Sequence, residues 1–558
     1  MYLEQHKINF KYKCGDKTYY IHEDDERVKF RKEINEDSIK IWFTPNQEIE
    51  VIKAELVWDE YYDIDARVFV NGYQSWTKSR EFQIKEQQPG LVGISKCKLF
   101  KRITTFCGDY NFTKYRDGLF HSYTYTYLRK YDDLTLYGSI NERTGYTVFY
   151  ADVKNNQFII EKDLESLKTS KEYEFINVVK FTGKYDEVFD KYFANFKKRG
   201  GDLYLKGYTS WYNYYQGINE EIINRDLQAL IDSKSDANIF QIDDGYSTAN
   251  GDWDIDKEKF PHGIKPIVDK AHANNLKIGL WCAPFAAQKS SKFVKEKKHL
   301  LLRDKNGRLV LGGISWGGFY VLDIEKPEAR DYIRKTFNRF LNEWGFDMLK
   351  LDFLYAECMI PRNGKTRGQI MCEAMEFLAD CCGDKILLAC GSPIGPAFGY
   401  ADAMRTGSDV EKTFKDRFYV KTTNQEIVST KTSINNSVFR RHLNNRIFAL
   451  DPDVFYLRED NDGATLLRFS DTQKKLLAKV NNMFGSVLFV SDDVSKYDDK
   501  KKSDLKKYFT RFKGKVVNAE YTNEDEISVI FTEDGKTYNF KMNLVTGEHS
   551  QKELRWTT

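Results

Sequence analysis

Four acids, a lysine, an arginine and a tryptophan fall where short apolar runs end in the middle of this chain. Asp243 and Asp244 close the run Asn238–Gly245. Trp281 lies near the end of Lys277–Pro284, Lys350 and Asp352 lie in Met348–Tyr355, and Arg405 and Asp409 lie in Asp402–Asp409. None of these positions holds a histidine. That argues against Ser-His chemistry and against a His-rich metal site. Paired carboxylates suit an acetal carbon: one attacks it while the other protonates the leaving oxygen. A tryptophan face can pack against the C–H side of a sugar, and two adjacent aspartates can accept hydrogen bonds from neighbouring hydroxyls. The chemistry indicated is glycoside cleavage, with neither a metal nor an organic cofactor needed. No paired CxxC and no HExxH spacing is present. His262, His299 and His442 read as surface or internally satisfied residues.

Such groups need a scaffold that brings strand ends together. The middle of the chain alternates compact apolar runs with helical patterns. The strand candidates are Tyr204–Trp211, Asn238–Gly245, Lys277–Pro284, Met348–Tyr355, Ile386–Pro393, Asp402–Asp409, Arg446–Phe455 and Ser486–Val490. Between them lie the helix candidates Glu220–Ser233, Ile264–Asn274, Lys326–Trp344, Gly368–Cys382 and Asp471–Met483. This pattern predicts a (β/α)8 TIM barrel over residues 196–491, whose chemistry belongs at the C-terminal ends of its strands. Residues 1–195 mix β-branched and aromatic segments with polar turns, which predicts an N-terminal β-sandwich. Residues 492–558 turn β-like again, with an Asp534-Gly535 hairpin signal, and predict a small antiparallel C-terminal domain.

The run Asp243-Asp244-Gly245-Tyr246, then Gly251-Asp252-Trp253, Lys259-Phe260-Pro261-His262-Gly263 and Gly279-Leu280-Trp281, resembles the α-galactosidases of glycoside hydrolase family 36. Lys350-Leu351-Asp352 resembles that family's nucleophile motif. Arg405-Thr406-Gly407-Ser408-Asp409 resembles its acid/base segment, in the form shared with family 27. Asn71-Gly72-Tyr73-Gln74-Ser75-Trp76 resembles the N-terminal-domain loop that reaches over the active site. The resemblance spans roughly residues 70 to 455, and the overall length resembles that of the shorter bacterial members. The Cys390-Gly391-Ser392-Pro393 segment departs from the glycine-rich run of the larger members.

Carried onto these positions, the resemblance implies a retaining exo-α-galactosidase. Asp352 is the expected nucleophile, and Lys350, two residues earlier on the same strand face, is expected to favour its ionised form. Asp409 is the expected general acid and then base. A carboxyl group that donates a proton near neutrality needs a neighbouring negative charge or an apolar site. The rival reading of Asp409 is a helix N-cap ahead of Val410-Glu411-Lys412. Asp243 and Asp244 would hold the 4- and 6-hydroxyls of galactose if the strand ended between them. Trp281 would be the sugar platform. Lys350 and Arg405 would be sugar ligands, Trp211 a site wall and Trp76 a lid, with Cys390 and Gly391 near the 2-position. Asp451-Pro452-Asp453 reads as structural. The two carboxyl groups are expected roughly 5–6 Å apart, as in retaining enzymes. The expected partner is an α-galactoside oligosaccharide of the melibiose or raffinose type. An α-N-acetylgalactosaminidase, an α-galactosyl transglycosylase and, more distantly, a non-catalytic sugar-binding protein would share most of these residues.

Composition is consistent with this reading. The chain has 558 residues, 41% hydrophobic and 15% aromatic, with 86 basic and 83 acidic side chains. A net charge of +3 without a concentrated basic face argues against a nucleic-acid partner. No run of about 18 apolar residues suggests a membrane span. The start of the chain has no apolar signal core. The nine cysteines fit reduced thiols in a cytoplasmic protein. A homo-oligomer is left open.

Overall fold

The computed structural model describes residues 2–97, 100, 105–459 and 463–554. Two seven-stranded antiparallel sheets build the N-terminal sandwich. Their strands alternate strictly where the sequence does. In Ser38–Pro45, Ile39, Ile41 and Phe43 point inward while Lys40 and Trp42 are less covered, the period-2 pattern of a half-buried strand. Phe10, Phe43, Leu56, Phe158 and Phe175 fill the space between the sheets.

The sandwich hands over to the barrel through the helix Tyr185–Phe193, which buries Val188, Phe189, Tyr192 and Phe193. The barrel sheet is parallel throughout. In chain order its strands are Leu205–Thr209, Ile239–Ile242, Lys277–Cys282, Met348–Leu351, Ile386–Ala389, Ala403–Arg405, the pair Ala449–Asp451 and Val454–Phe455, and Val487–Val490. Residues on both faces of these short strands are buried, as expected where helices cover a parallel sheet.

Three local expectations need correction. The segment Arg446–Phe455 is not one strand. Ala449–Asp451 pairs with the sixth strand and Val454–Phe455 with the eighth. Pro452, which has no N–H to donate, and Asp453, at φ 78°, separate them. The helix Thr430–Phe439, between the sixth and seventh strands, was not expected; it is rich in Ser, Thr and Asn yet buries most of its residues. Between the fifth and sixth strands only the single 3-10 turn Gly395–Ala397 stands in the place of a barrel helix.

In the C-terminal segment the 3-10 turn Val494–Lys496 and a helix, Asp499–Phe509, capped by the Asp498 side chain, precede the first strand. A four-stranded antiparallel sheet follows, Lys515–Asn523, Glu526–Glu533, Lys536–Asn543 and His549–Leu554. Asp534 and Gly535, at φ 49° and 74°, make the two-residue turn between the second and third of these strands, the left-handed pair that a tight hairpin requires. Among the described residues no helix is long and apolar enough to cross a membrane.

Candidate active site

At the C-terminal ends of the barrel strands lies a cavity of about 300 Å³. Trp211, Asp243, Asp244, Trp281, Lys350, Asp352 and Asp409 all line it. The short strands explain how acids arrive there. The second strand stops at Ile242, so Asp243 and Asp244 both sit in the turn beyond it, not astride the strand end. Released from the alternation of a strand, the two side chains can face the same space. The Asp244 backbone N–H donates to Asp243 Oδ1 (2.9 Å). Gly245 follows at φ 120°.

Lys350 ends buried on the fourth strand with its Nζ 2.9 Å from Asp243 Oδ2. Gln241 Nε2 donates to the same oxygen at 2.7 Å. Burial pushes the Lys350 ammonium down, but the Asp243 carboxylate together with Cys390 and Asp352 more than offsets it and holds the group above the ordinary lysine range. Asp244 accepts from Trp316 Nε1 and Gln216 Nε2, each at 2.9 Å. Burial, reinforced by the charge of Asp243, pushes its carboxyl up to about 6 despite the Trp316 bond.

Asp352 stands one residue past the fourth strand. Trp281 Nε1 donates to its Oδ2 at 3.1 Å, and the Phe353 backbone N–H donates to its Oδ1 at 2.8 Å. Burial raises the carboxyl above the usual carboxylate range. Lys350 opposes that shift and Asp409 adds to it. Lys350 therefore does act on Asp352, as its position two residues earlier suggested, but its direct partner is Asp243. Phe353 is left-handed at φ 55°, an unfavourable conformation for an aromatic residue. The strain turns the chain sharply after Asp352 and sets the Phe353 ring in the cavity wall.

Asp409 lies in a loop four residues beyond the sixth strand. No helix begins behind it; the next helical turn is Val420–Thr422. The N-cap reading therefore fails. Arg405 Nη2 donates to Asp409 Oδ1 at 3.2 Å, so the four-residue spacing brings the two into direct contact. The same Nη2 lies 2.9 Å from Asp453 Oδ2. Asp453 also accepts from the Val410 backbone N–H at 2.7 Å and from the Tyr212 hydroxyl. Burial raises the Asp453 carboxyl to about 7 against the pull of Arg405. The Asp451-Pro452-Asp453 segment, which reads as structural in the sequence, is thus wired to the candidate acid/base through Arg405 and Val410.

Arg405, Cys390, Gly391 and Trp76 stand one layer behind the cavity wall. Cys390 is fully buried, with Trp76 Nε1 at 3.4 Å and Arg405 Nη1 at 3.9 Å from its sulfur. Gly391 adopts φ 61°, and a β-carbon there would come within 2.9 Å of the Trp76 ring. Trp76 packs edge-on against Phe353. Its loop is sewn to the barrel: Ser75 N–H donates to Ser392 O at 2.9 Å, and Arg440 donates to the carbonyls of Ser75, Gln74 and Thr406. The wall residues that strand-end reasoning missed are Tyr215, Gln216, Ser315, Trp316 and Phe353. Trp316 comes from the excursion between the third and fourth strands. Ala286–Gln288, Leu311–Gly313 and Phe319–Val321 form a small antiparallel sheet there. No group of three or more His, Cys, Asp or Glu able to hold a metal occurs among the described residues.

Residues 192–373 match the Melibiase family model. The matched segment holds the first four strands of the barrel. Among curated proteins, the chain is similar to alpha-galactosidase Mel36A of Lactobacillus acidophilus, with 29% identity over 153 residues, covering 26% of this chain and 20% of that protein. An alpha-galactosidase of Escherichia coli is 30% identical over 120 residues, 20% of this chain and 16% of that protein. These matches span about a fifth or less of the curated relatives' length. The fold likeness runs much further. TtGalA, an alpha-galactosidase from Thermus thermophilus solved with p-nitrophenyl alpha-D-galactopyranoside, superimposes with TM-score 0.69 at 22% identity, covering 93% of this chain and 97% of that one. AgaA, a family 36 alpha-galactosidase from Geobacillus stearothermophilus, gives TM-score 0.62 at 11% identity, covering 96% and 73%. The sandwich, the barrel and the C-terminal β domain are thus shared architecture.

Proposed function

We propose that the protein is a retaining exo-α-galactosidase that releases terminal α-linked galactose from oligosaccharides. The observation that carries the reading is that Asp352 and Asp409, borne by the fourth and sixth barrel strands, line one cavity together with Lys350, Asp243 and Asp244. Asp409 gives its proton to the glycosidic oxygen as an Asp352 oxygen bonds to the anomeric carbon and the bond to the leaving group breaks. A β-linked galactosyl ester on Asp352 results. Asp409 then takes a proton from water, and the water oxygen displaces Asp352 to release α-galactose. Two inversions give net retention. The Trp281 and Phe353 N–H groups hold the Asp352 carboxylate for attack. The charged and hydrogen-bonded Asp243, Asp244 and Lys350 suit the hydroxyls of the departing ring.

Galactose is favoured over N-acetylgalactosamine by the packing around Cys390. That thiol is fully buried beneath Trp76 and Arg405, which leaves little space for an acetamido group if the 2-position lies there. Two relatives argue for oligosaccharides as substrates: the Thermus enzyme was solved with stachyose, and a variant of the Geobacillus enzyme with raffinose. The free state of all nine cysteines suits a reducing, cytoplasmic setting.

The deciding experiment replaces Asp352 with Ala. Turnover of nitrophenyl α-galactoside should vanish, and azide should restore it with formation of β-galactosyl azide. A variant that keeps near-full activity, or a wild-type enzyme whose first product is β-galactose, refutes the mechanism. Side-by-side assay of nitrophenyl α-galactoside and α-N-acetylgalactosaminide settles the sugar. A galactose complex would test the expected carboxylate spacing of roughly 5–6 Å.

A further inference from the structure

Tyr215 forms part of the wall of the catalytic cavity. Against its ring lies Lys412, whose ammonium is 3.6 Å from the ring centroid. Lys412 is only 9% exposed. Among the described residues no carboxylate forms an ion pair with its ammonium, and the aromatic face is the contact made by its charge. Burial lowers this ammonium to about 8, and the positive charges of Arg458 and Arg417 lower it further than Glu411 restores. A buried cation without a counter-ion is costly, and an arriving anion would relieve that cost.

Lys412 also borders a second cavity, of about 540 Å³, lined with Lys415, Arg417 and Arg468 among others. One acid, Asp416, shares that lining, and Glu411 lies next to Lys412 in the chain. Asp416 accepts from the Ser429 hydroxyl at 2.7 Å. Glu411 accepts from the Lys412 backbone N–H at 2.8 Å and from Arg417 at 3.2 Å. Lys415 and Arg468 are exposed and form no ion pair among the described residues. The two cavities therefore adjoin through the Tyr215–Lys412 contact: four aspartates and one lysine line the inner one, four cations and one aspartate, Asp416, the outer one.

We propose that the outer cavity binds a phosphate monoester carried by the leaving group, so that the preferred substrate is an α-galactoside of a phosphorylated sugar. This rests on the reading that the inner cavity takes the galactosyl ring. With the ring there, the leaving sugar passes the partly exposed Tyr215 face and brings its substituent to Lys412. A phosphate monoester is close to a dianion at pH 7, and it offers several acceptor oxygens to several cations. A neutral sugar gives Lys412, Lys415 and Arg468 no comparable partner.

The full chain should be assayed on nitrophenyl α-galactoside, on melibiose, and on melibiose phosphorylated at its glucose 6-hydroxyl. The phosphorylated sugar should be preferred over melibiose by about 10- to 100-fold in kcat/KM, mainly through KM, as expected for a charge-assisted contact. Lys412→Met should erase that preference while changing nitrophenyl α-galactoside turnover less than about twofold. Arg468→Gln, at an exposed position, should weaken it without risk to folding. Inorganic phosphate should compete with the phosphorylated substrate and leave the nitrophenyl substrate untouched. Equal kcat/KM for the two sugars, or a preference that survives the combined K412M and R468Q changes, overturns the proposal. So does inorganic phosphate binding without any preference, which would mark a free-anion site. Failure to hydrolyse nitrophenyl α-galactoside would instead count against the galactosidase reading. Calorimetric binding of phosphorylated against plain melibiose would then still decide the outer cavity.

Discussion

Lys350→Met tests the most strongly coupled contact in the site. Its ammonium and the Asp243 carboxylate are 2.9 Å apart, with side chains 7% and 2% exposed. Removing the cation leaves Asp243 buried with only the Gln241 amide and the Asp244 N–H as donors. Breaking a buried pair in this way costs about 3–5 kcal/mol. Removing both charges in Lys350→Met with Asp243→Asn should recover most of that loss, because no unpaired ion remains. Stability should be read from urea unfolding at pH 7. The folded lysine titrates above its unfolded value of about 10.4, so the pair's contribution is complete at neutral pH and is lost only as pH rises beyond that value. Activity should behave differently. Both the single and the double variant lose a charge-assisted contact to the sugar, and kcat/KM should fall about 10- to 100-fold in each. Lys350 also pulls the Asp352 carboxyl down, so the acid limb of the pH profile should move to higher pH in the single variant. A single variant as stable as wild type, or a double variant no more stable than the single, refutes the assignment of the pair. A double variant with full activity refutes its contact with substrate.

Asp409→Ala should cost far more on raffinose than on nitrophenyl α-galactoside, because nitrophenolate departs without help from an acid; steady-state rates on the two substrates check this. Glu426 is buried with Thr77 and Tyr110, and burial raises its carboxyl to about 7. Its folded pKa exceeds its unfolded one, so stability falls as pH rises from about 4.5 to about 7. Glu426→Gln should therefore be more stable than wild type by about 3 kcal/mol at pH 8 and little different at pH 4, as compared by chemical unfolding. Gly391→Ala should destabilise by about 1–2 kcal/mol through its left-handed backbone. It should also push the Trp76 ring aside, visible as altered tryptophan fluorescence together with a raised KM. Asp453→Asn should loosen the Arg405 and Val410 contacts and lower kcat more than it raises KM.

The barrel was legible because its strands are short, continuous apolar runs bounded by polar turns, and the eight candidate segments each contain observed strand residues. Site acids were legible for the same reason: a charged residue just after such a run, as at Asp243 and Asp352, has few structural reasons to be there. Trp316 and Phe353 carry no such mark. Each occupies a left-handed conformation, at φ 57° and 55°, which local propensity disfavours and only the surrounding packing enforces. The helix Thr430–Phe439 was hidden because its buried face is polar. Asn435 and Asn436 bond to the carbonyls of Ser79 and Thr77 across the domain boundary, so apolar periodicity could not reveal it. The split of the seventh strand was not anticipated, although Pro452 marks where it falls, and the reach of Asp453 to Arg405 depends on three-dimensional closure and has no signature in spacing.

Arg440 gives the two halves of the molecule a common fate. It is fully buried, and its guanidinium is spent on carbonyls from both the Gln74–Ser75 loop and Thr406, near the mouth of the barrel. A barrel severed from its sandwich would keep that cation with two of its three carbonyl acceptors gone, beside an opened chamber. Truncation toward a minimal catalyst should stop short of the first domain, and domain shuffling among relatives would have to transplant the loop and the arginine as one unit.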